Sequence, residues 1–129
     1  MAKTSARYAY EGLSRVLHEK ARLSIMTSLM SRPEGLVFND LKALCALTDG
    51  NLNRHILVLH EAGLVEVWKG SDKGRAQTRY RLTRAGRQRF VEYLGELEKV
   101  IQDALTAPRT AGKKAGSVAL DMPPGWVPA

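Results

Sequence analysis

The chain has 129 residues, the size of one hydrophobic core with tails. No apolar run approaches the roughly 20 residues that span a bilayer, Met1 to Tyr10 carries no apolar stretch of signal-peptide type, and Cys45 stands alone, so a disulfide framework within the chain is excluded and a reducing cytoplasm fits best. The net charge of +7 is concentrated between Lys69 and Arg89, where eight basic residues face Asp72 alone, and a one-signed block inside a folded region reads as a footprint for a polyanion.

Residues 1–13 read as an N-terminal arm. Ser14 is placed to cap a first helix running to about Ser31, with Val16, Leu17, Ala21, Ile25 and Leu29 on one apolar stripe. Arg32-Pro33-Glu34-Gly35 stops it. Leu36 to Phe38 is a short apolar piece able to pair as a minimal strand, and Asn39 is placed to cap a second helix, Asp40 to Ala46, with Leu41, Leu44 and Cys45 inward. After the turn at Leu47, Thr48 caps a third helix that Gly63 closes, with Leu52, Ile56 and Leu59 inward.

Leu64 to Trp68 and Thr78 to Leu82 read as paired strands, and the polar, basic link Lys69 to Gln77 as an extended hairpin loop. Thr83 caps a fourth helix, Arg84 to about Leu105, whose stripe is Phe90, Leu94, Leu97, Ile101 and Leu105, widened by Tyr93 and Val100. Residues 106–129, rich in Pro and Gly, read as a mobile tail. The class is mainly α with a small β-hairpin: a tight turn between the second and third helices makes a helix-turn-helix, and the hairpin follows as a wing.

Several stretches then look familiar. His18 to Leu23, Leu41 with Leu44, Asn51 to Ile56, Leu59-His60-Glu61-Ala62-Gly63-Leu64-Val65 and Tyr80-Arg81-Leu82-Thr83-Arg84-Ala85-Gly86-Arg87 resemble winged-helix transcriptional regulators of the ArsR/MarR-like type, over roughly Leu13 to Leu105. The resemblance implies a dimer, a recognition helix in the major groove of double-stranded DNA, and a wing along the backbone or minor groove. It implies no one effector, and a small-molecule effector stays unknown. Metal-sensing members carry paired cysteines or histidines. Here Cys45 is single and His18, His55 and His60 do not share one face at ligand spacing, so neither a metal nor a cofactor is expected.

On the third helix, an inward Leu52, Ile56 and Leu59 leave Asn51, Asn53 and Arg54 outward in the first turns. Asn can bond adenine and Arg guanine in two places each. Gly50 allows close backbone approach, and Thr48 can cap and donate to a phosphate. His55, at the edge of the buried stripe, suits a phosphate contact or a packing role equally. Leu57 is an oddity on a groove-facing helix, open to a thymine methyl contact or to a wider core stripe. In the wing, Lys73 and Arg75 are candidate phosphate or minor-groove contacts, with Lys69 and Arg79 at the hairpin base and Arg84 at a helix N-terminus where positive charge is unfavourable unless a phosphate compensates.

The fourth helix is long for so small a domain. Leu13, Val16 and Leu17 from the first helix region with Tyr93, Leu94, Leu97, Val100 and Ile101 from the last form the expected homodimer seam, although a helix folded back on its own core gives the same pattern. Tyr8 and Tyr10 suit packing across that seam or a loose arm. Trp68 reads as packing under the wing, and Cys45 as a small buried residue. No Gly-rich phosphate loop, nucleophile motif or paired carboxylate points to an enzyme. The alternative use of the fold is a protein-interaction or RNA-binding module, disfavoured by the cationic wing and by the lack of aromatics between Lys69 and Gln77.

Overall fold

The computed structural model describes residues 6–106 and 122–128. Residues 107–121, most of the stretch expected to be a tail, lie outside it, as do 1–5 at the start of the arm. The elements are α1 (Lys20–Met30), β1 (Leu36–Val37), α2 (Phe38–Cys45), α3 (Asp49–Glu61), β2 (Val65–Asp72), β3 (Arg75–Leu82) and α4 (Arg84–Leu105). The three strands form one antiparallel sheet in the order β1-β3-β2.

The first helix starts later than a Ser14 cap would have it. Residues 14–18 make turns in which the Ser14 carbonyl accepts from the Leu17 and His18 amides. The chain then goes extended at Glu19, whose carboxylate accepts from the Arg22 amide at 2.9 Å and is the actual N-cap. This detour drops Leu17 into the core before the helix begins, beside Ile25, Met26 and Leu29.

The second helix likewise begins at Phe38 rather than Asp40, capped by Val37 without a side-chain bond, so Asn39 lies within its first turn. Phe38, Leu41 and Cys45, spaced by three and four, take its inner stripe. Leu44, about 100° round the helix from Cys45, falls on the flank of that stripe and is 60% exposed, contrary to its expected inward place. Ala46 ends α2 in the left-handed region (φ 54°).

The third helix matches expectation. Thr48 Oγ1 accepts from the Asn51 amide at 3.2 Å, and Leu52, Ile56 and Leu59 are buried. At its end the Leu64 amide reaches back to the Leu59 carbonyl and the Gly63 amide to that of His60, a Schellman closure that needs the positive φ (79°) of Gly63.

The wing differs from expectation. Lys69 to Gln77 is not a loop: both strands run to Asp72 and Arg75, and only Lys73 and Gly74 turn, at φ 52° and 80°. Two positive φ values at the turn residues fit the two-residue type I′ hairpin, whose twist matches that of the strands. The outer half of the hairpin has no core beneath it, so its ladder is held by backbone bonds and carries no apolar alternation for a pattern to reveal.

Thr83 caps α4, accepting from the Gly86 amide at 2.8 Å while its hydroxyl donates to the Gly63 carbonyl at 2.7 Å. Of the expected seam, Leu17 and Tyr93 are 0% and 1% exposed in the protomer's own core, and Leu97, Leu13 and Val16 are half-buried against it. Leu17 and Tyr93 therefore have no surface left for a partner. The described part of the arm is not loose either. The Tyr10 hydroxyl donates to Asp103 Oδ2 at 2.7 Å, which pushes its pKa up to about 12, and Arg7 lies 3.7 Å from the same carboxylate. His18 Nδ1 meets the Tyr93 hydroxyl at 2.6 Å.

Two glycines of α4 make opposite demands. A Cβ at Gly86 would overlap the Leu64 carbonyl, which cannot retreat without moving the α3–β2 junction, whereas one at Gly95 would meet nothing within 4 Å. Gly86→Ala is expected to cost about 2–3 kcal/mol by overpacking, and Gly95→Ala to stabilise by about 0.5–1 kcal/mol through helix propensity. Urea unfolding of the two variants beside the parent checks both signs.

Candidate nucleic-acid interface

The same helix that buries Leu52, Ile56 and Leu59 turns Gly50, Asn51, Asn53 and Arg54 to solvent. The cap sets the start of this face: Thr48 is exposed, and its bond from the Asn51 amide holds its hydroxyl at the helix N-terminus, the end whose dipole favours an anion. Lys42 of α2 bonds Asp49 Oδ1 at 2.7 Å, tying the second helix to the first residue of the third. Sequence reasoning misses that pair, although opposite charges flanking the turn are visible there. Arg54 Nη2 donates to Asn51 Oδ1 at 3.3 Å, so two of the expected base-reading groups sit side by side, one turn apart.

His55 departs from the expected contact set. It is 5% exposed and points inward, where its Nδ1 lies 3.7 Å from Glu19 Oε1 with no hydrogen-bond partner among the described residues. Spaced three from Leu52 and four from Leu59, it completes the buried stripe and offers nothing to a phosphate. Burial lowers its pKa, opposed by the Glu19 carboxylate and assisted by Arg54 and Arg22. Glu19 is held below the usual carboxylate range by the Arg22 amide it accepts, with the nearby His55 and Arg22 acting in the same direction against partial burial.

In the hairpin Lys69, Lys73, Arg75 and Arg79 are all exposed, but their obligations differ. Lys69 Nζ donates to Thr78 Oγ1 at 3.2 Å and Arg79 Nη1 to the Gly35 carbonyl at 3.3 Å, bonds that brace the hairpin base. Lys73 and Arg75 at the tip, and Arg84 at the start of α4, make no ion pair among the described residues. Arg81 is neutralised by Glu66 at 2.5 Å and lies over the Trp68 ring, 5.1 Å from its centroid. Trp68 is half exposed beneath that guanidinium and does not pack under the wing.

Cys45 is half-buried, its sulfur 3.6 Å from Ser28 Oγ, and burial pushes the thiol pKa up. His60 Nδ1 is 2.9 Å from the Val65 carbonyl. Among the described residues no group of three or more His, Cys, Asp or Glu side chains is placed to hold a metal ion, and no helix is long and apolar enough to cross a membrane.

Residues 21–101 match the family model of the winged helix DNA-binding domain. An uncharacterized protein of Methanocaldococcus jannaschii is 37% identical over 83 residues, covering 64% of this chain and 89% of that protein. The structure of a transcriptional regulator homologue from Pyrococcus horikoshii OT3 is similar with a TM-score of 0.65 at 34% identity, over 72% of this chain and 90% of that one. The MepR–DNA complex of S. aureus shares the fold, with a TM-score of 0.62 at 14% identity over 79% and 82% of the two chains.

The buried imidazole makes stability pH-dependent. In the unfolded chain a histidine titrates near about 6.5, whereas burial lowers His55 in the folded protein. Between the two values only the unfolded chain takes up the proton, so stability present above the ordinary value is lost as pH falls. The Glu19 contribution is lost only further down, as pH drops through its depressed folded value. The urea midpoint is expected to fall between about pH 7.5 and pH 5.5, and His55→Gln to flatten that slope. An unchanged slope in the variant would assign the titration to another group.

Proposed function

This chain is a member of the winged helix DNA-binding domain family, and from that premise we propose that it is a transcriptional regulator that binds double-stranded DNA sequence-specifically as a homodimer. The recognition helix α3 enters the major groove, and the β2–β3 wing lies on the backbone or in the minor groove. One observation carries the reading. Three buried side chains fix the inner face of α3 and leave Asn51, Asn53 and Arg54 exposed on a helix whose N-terminal residues are exposed too, while the hairpin that follows ends in Lys73 and Arg75, cations that make no ion pair among the described residues.

The roles divide by chemistry. Arg54 and the two asparagines have the paired donors and acceptors that match guanine and adenine edges. Thr48, the bare backbone at Gly50, Lys69, Lys73, Arg75, Arg79 and Arg84 suit phosphates, which position the protein and carry no sequence information. MepR, which has the same fold, is known bound to DNA.

A dimer seam on α4 is supported by what the protomer leaves uncovered. Leu94 and Ile101, seven residues apart and so on one line of the helix, are 43% and 49% exposed. The arm occupies the roughly opposite flank, over Asp103 and close to Glu96. Val100, half-buried, borders the core face. Leu94 and Ile101 thus carry the seam in place of Leu17 and Tyr93. Two copies would present recognition helices to half-sites about one helical turn, roughly 34 Å, apart.

Two experiments test this reading. On duplexes selected by the protein from a random pool, Arg54→Ala is expected to relax sequence preference at one position per half-site by about 1–3 kcal/mol. Lys73→Ala should weaken specific and random duplex alike and flatten the log–log salt slope by about 0.9 for each phosphate it ceases to neutralise. Variants indistinguishable from the parent in both assays would refute the contact assignment. In sedimentation, the double variant Leu94→Glu, Ile101→Glu is expected to run as a folded monomer with weakened binding to the two-half-site duplex; a persisting dimer would move the seam elsewhere.

A further inference from the structure

The core of α3 is complete without Leu57. Leu52, Ile56 and Leu59 are 0%, 5% and 0% exposed, and His55 closes the stripe, whereas Leu57 stands 54% exposed. Of the two readings open to it in the sequence, membership of a wider core stripe is thereby removed. Its address on the helix is informative. Gly50, Asn53 or Arg54, and Leu57 follow one another at i, i+3 or i+4, and i+7, the spacing of a single helical face. At the head of that line, Gly50 has nothing within 4 Å of where a side chain would begin, so the backbone there is open to close approach. Glu61 follows one turn after Leu57, a carboxylate that phosphates repel. Leu57 is therefore the last residue of the line suited to face a polyanion.

We propose that Leu57 is a specificity-determining residue that receives the 5-methyl group of a thymine in the major groove. This rests on the reading of α3 as the recognition helix. The chemistry is selective because, of the four base edges exposed in that groove, only thymine presents an apolar group. Charge complementarity of the surroundings identifies the occupant: Arg54 stands three residues before Leu57, and the hairpin cations Lys73 and Arg75 make no ion pair among the described residues, so this face attracts nucleic acid and disfavours an apolar protein surface. Asn53, one turn before Leu57, is suited to adenine, so the pair would read neighbouring A·T pairs through a hydrogen bond and a methyl contact.

The test uses the full chain and a duplex it selects from a random pool, in which each thymine is replaced in turn by deoxyuridine, which lacks only the methyl. The parent is expected to lose about fourfold in affinity at one position per half-site, the factor that goes with burying one methyl-sized group. Leu57→Ser, which leaves the core intact and should melt with the parent, is expected to lose a similar factor on the unmodified duplex. It should also become indifferent to deoxyuridine at that position, the signature of direct coupling in a double-mutant cycle. A parent that binds the selected duplex but tolerates deoxyuridine everywhere overturns this inference while leaving the DNA-binding reading intact. A serine variant that keeps the parent's pattern and instead changes sedimentation overturns it in favour of a protein contact. Failure of the parent to bind any duplex refutes the DNA-binding reading itself.

Discussion

The constraint on which the rest depends is the one-sided burial of α3. Leu52, Ile56 and Leu59 interlock with α1 and the sheet at essentially zero exposure, each contributing on the order of 1.5–3 kcal/mol of transfer free energy. Rotating the helix by one residue about its axis would withdraw these side chains and bring polar groups into their places. The outward set, Asn51, Asn53, Arg54 and Leu57, is thus determined by the inward set. His55 shows how strictly: a polar side chain whose spacing places it on the stripe is buried with an unsatisfied ring nitrogen sooner than the helix turning to free it.

A second fixed point holds the other elements to this helix. The left-handed Gly63 reverses the chain out of α3, the Thr83 amide donates to the Leu64 carbonyl, the Thr83 hydroxyl donates to the Gly63 carbonyl, and Gly86 packs against Leu64 with no room for a side chain. The end of the third helix, both strand roots of the hairpin and the start of α4 therefore meet within a few residues. Short hydrogen bonds and a glycine contact give this junction little slack, so the orientation of α4 and that of α3 are set by shared atoms. In a dimer built on α4, the spacing of two recognition helices would inherit that rigidity.

Much of this is legible in the sequence because it is local. The Thr48 and Thr83 caps, the Gly63 closure and the Leu52, Ile56, Leu59 stripe each depend on residues within a turn or two. What escapes is non-local or unpatterned. The hairpin looks too short in the sequence because strand residues from Lys69 to Gln77 touch no core, and backbone pairing leaves no mark on side-chain alternation. Leu17 and Tyr93 look like seam residues because a stripe of apolar residues states that something covers it, not whether the cover is the same chain. The arm bond from Tyr10 to Asp103 joins residues 93 apart. Glu19 displaces Ser14 as a cap because only packing decides between two nearby acceptors, and the core position of Leu17 requires the turn before it.

The basic block illustrates why net charge by itself is an incomplete guide. Eight cations lie between Lys69 and Arg89, but they do not all face outward unspent. Arg81 is matched by Glu66 and stacked on Trp68, the Arg87 guanidinium reaches the Met30 sulfur, and Arg79 and Lys69 brace the sheet through neutral acceptors. An ion pair already made at the surface must be broken or shared to serve a phosphate, and its gain is correspondingly small. Lys73 and Arg75 make no ion pair among the described residues and bear no such cost; Lys73 lies in the two-residue turn and Arg75 directly after it, at the exposed end of the hairpin. Opposite Arg75 stands Asp72, the only acid of the block, yet the two make no ion pair although they are cross-strand neighbours. The hairpin thus divides its cations along its length, structural at the root and uncommitted at the tip, as expected of a lever whose base must be rigid for its end to find a backbone of fixed geometry.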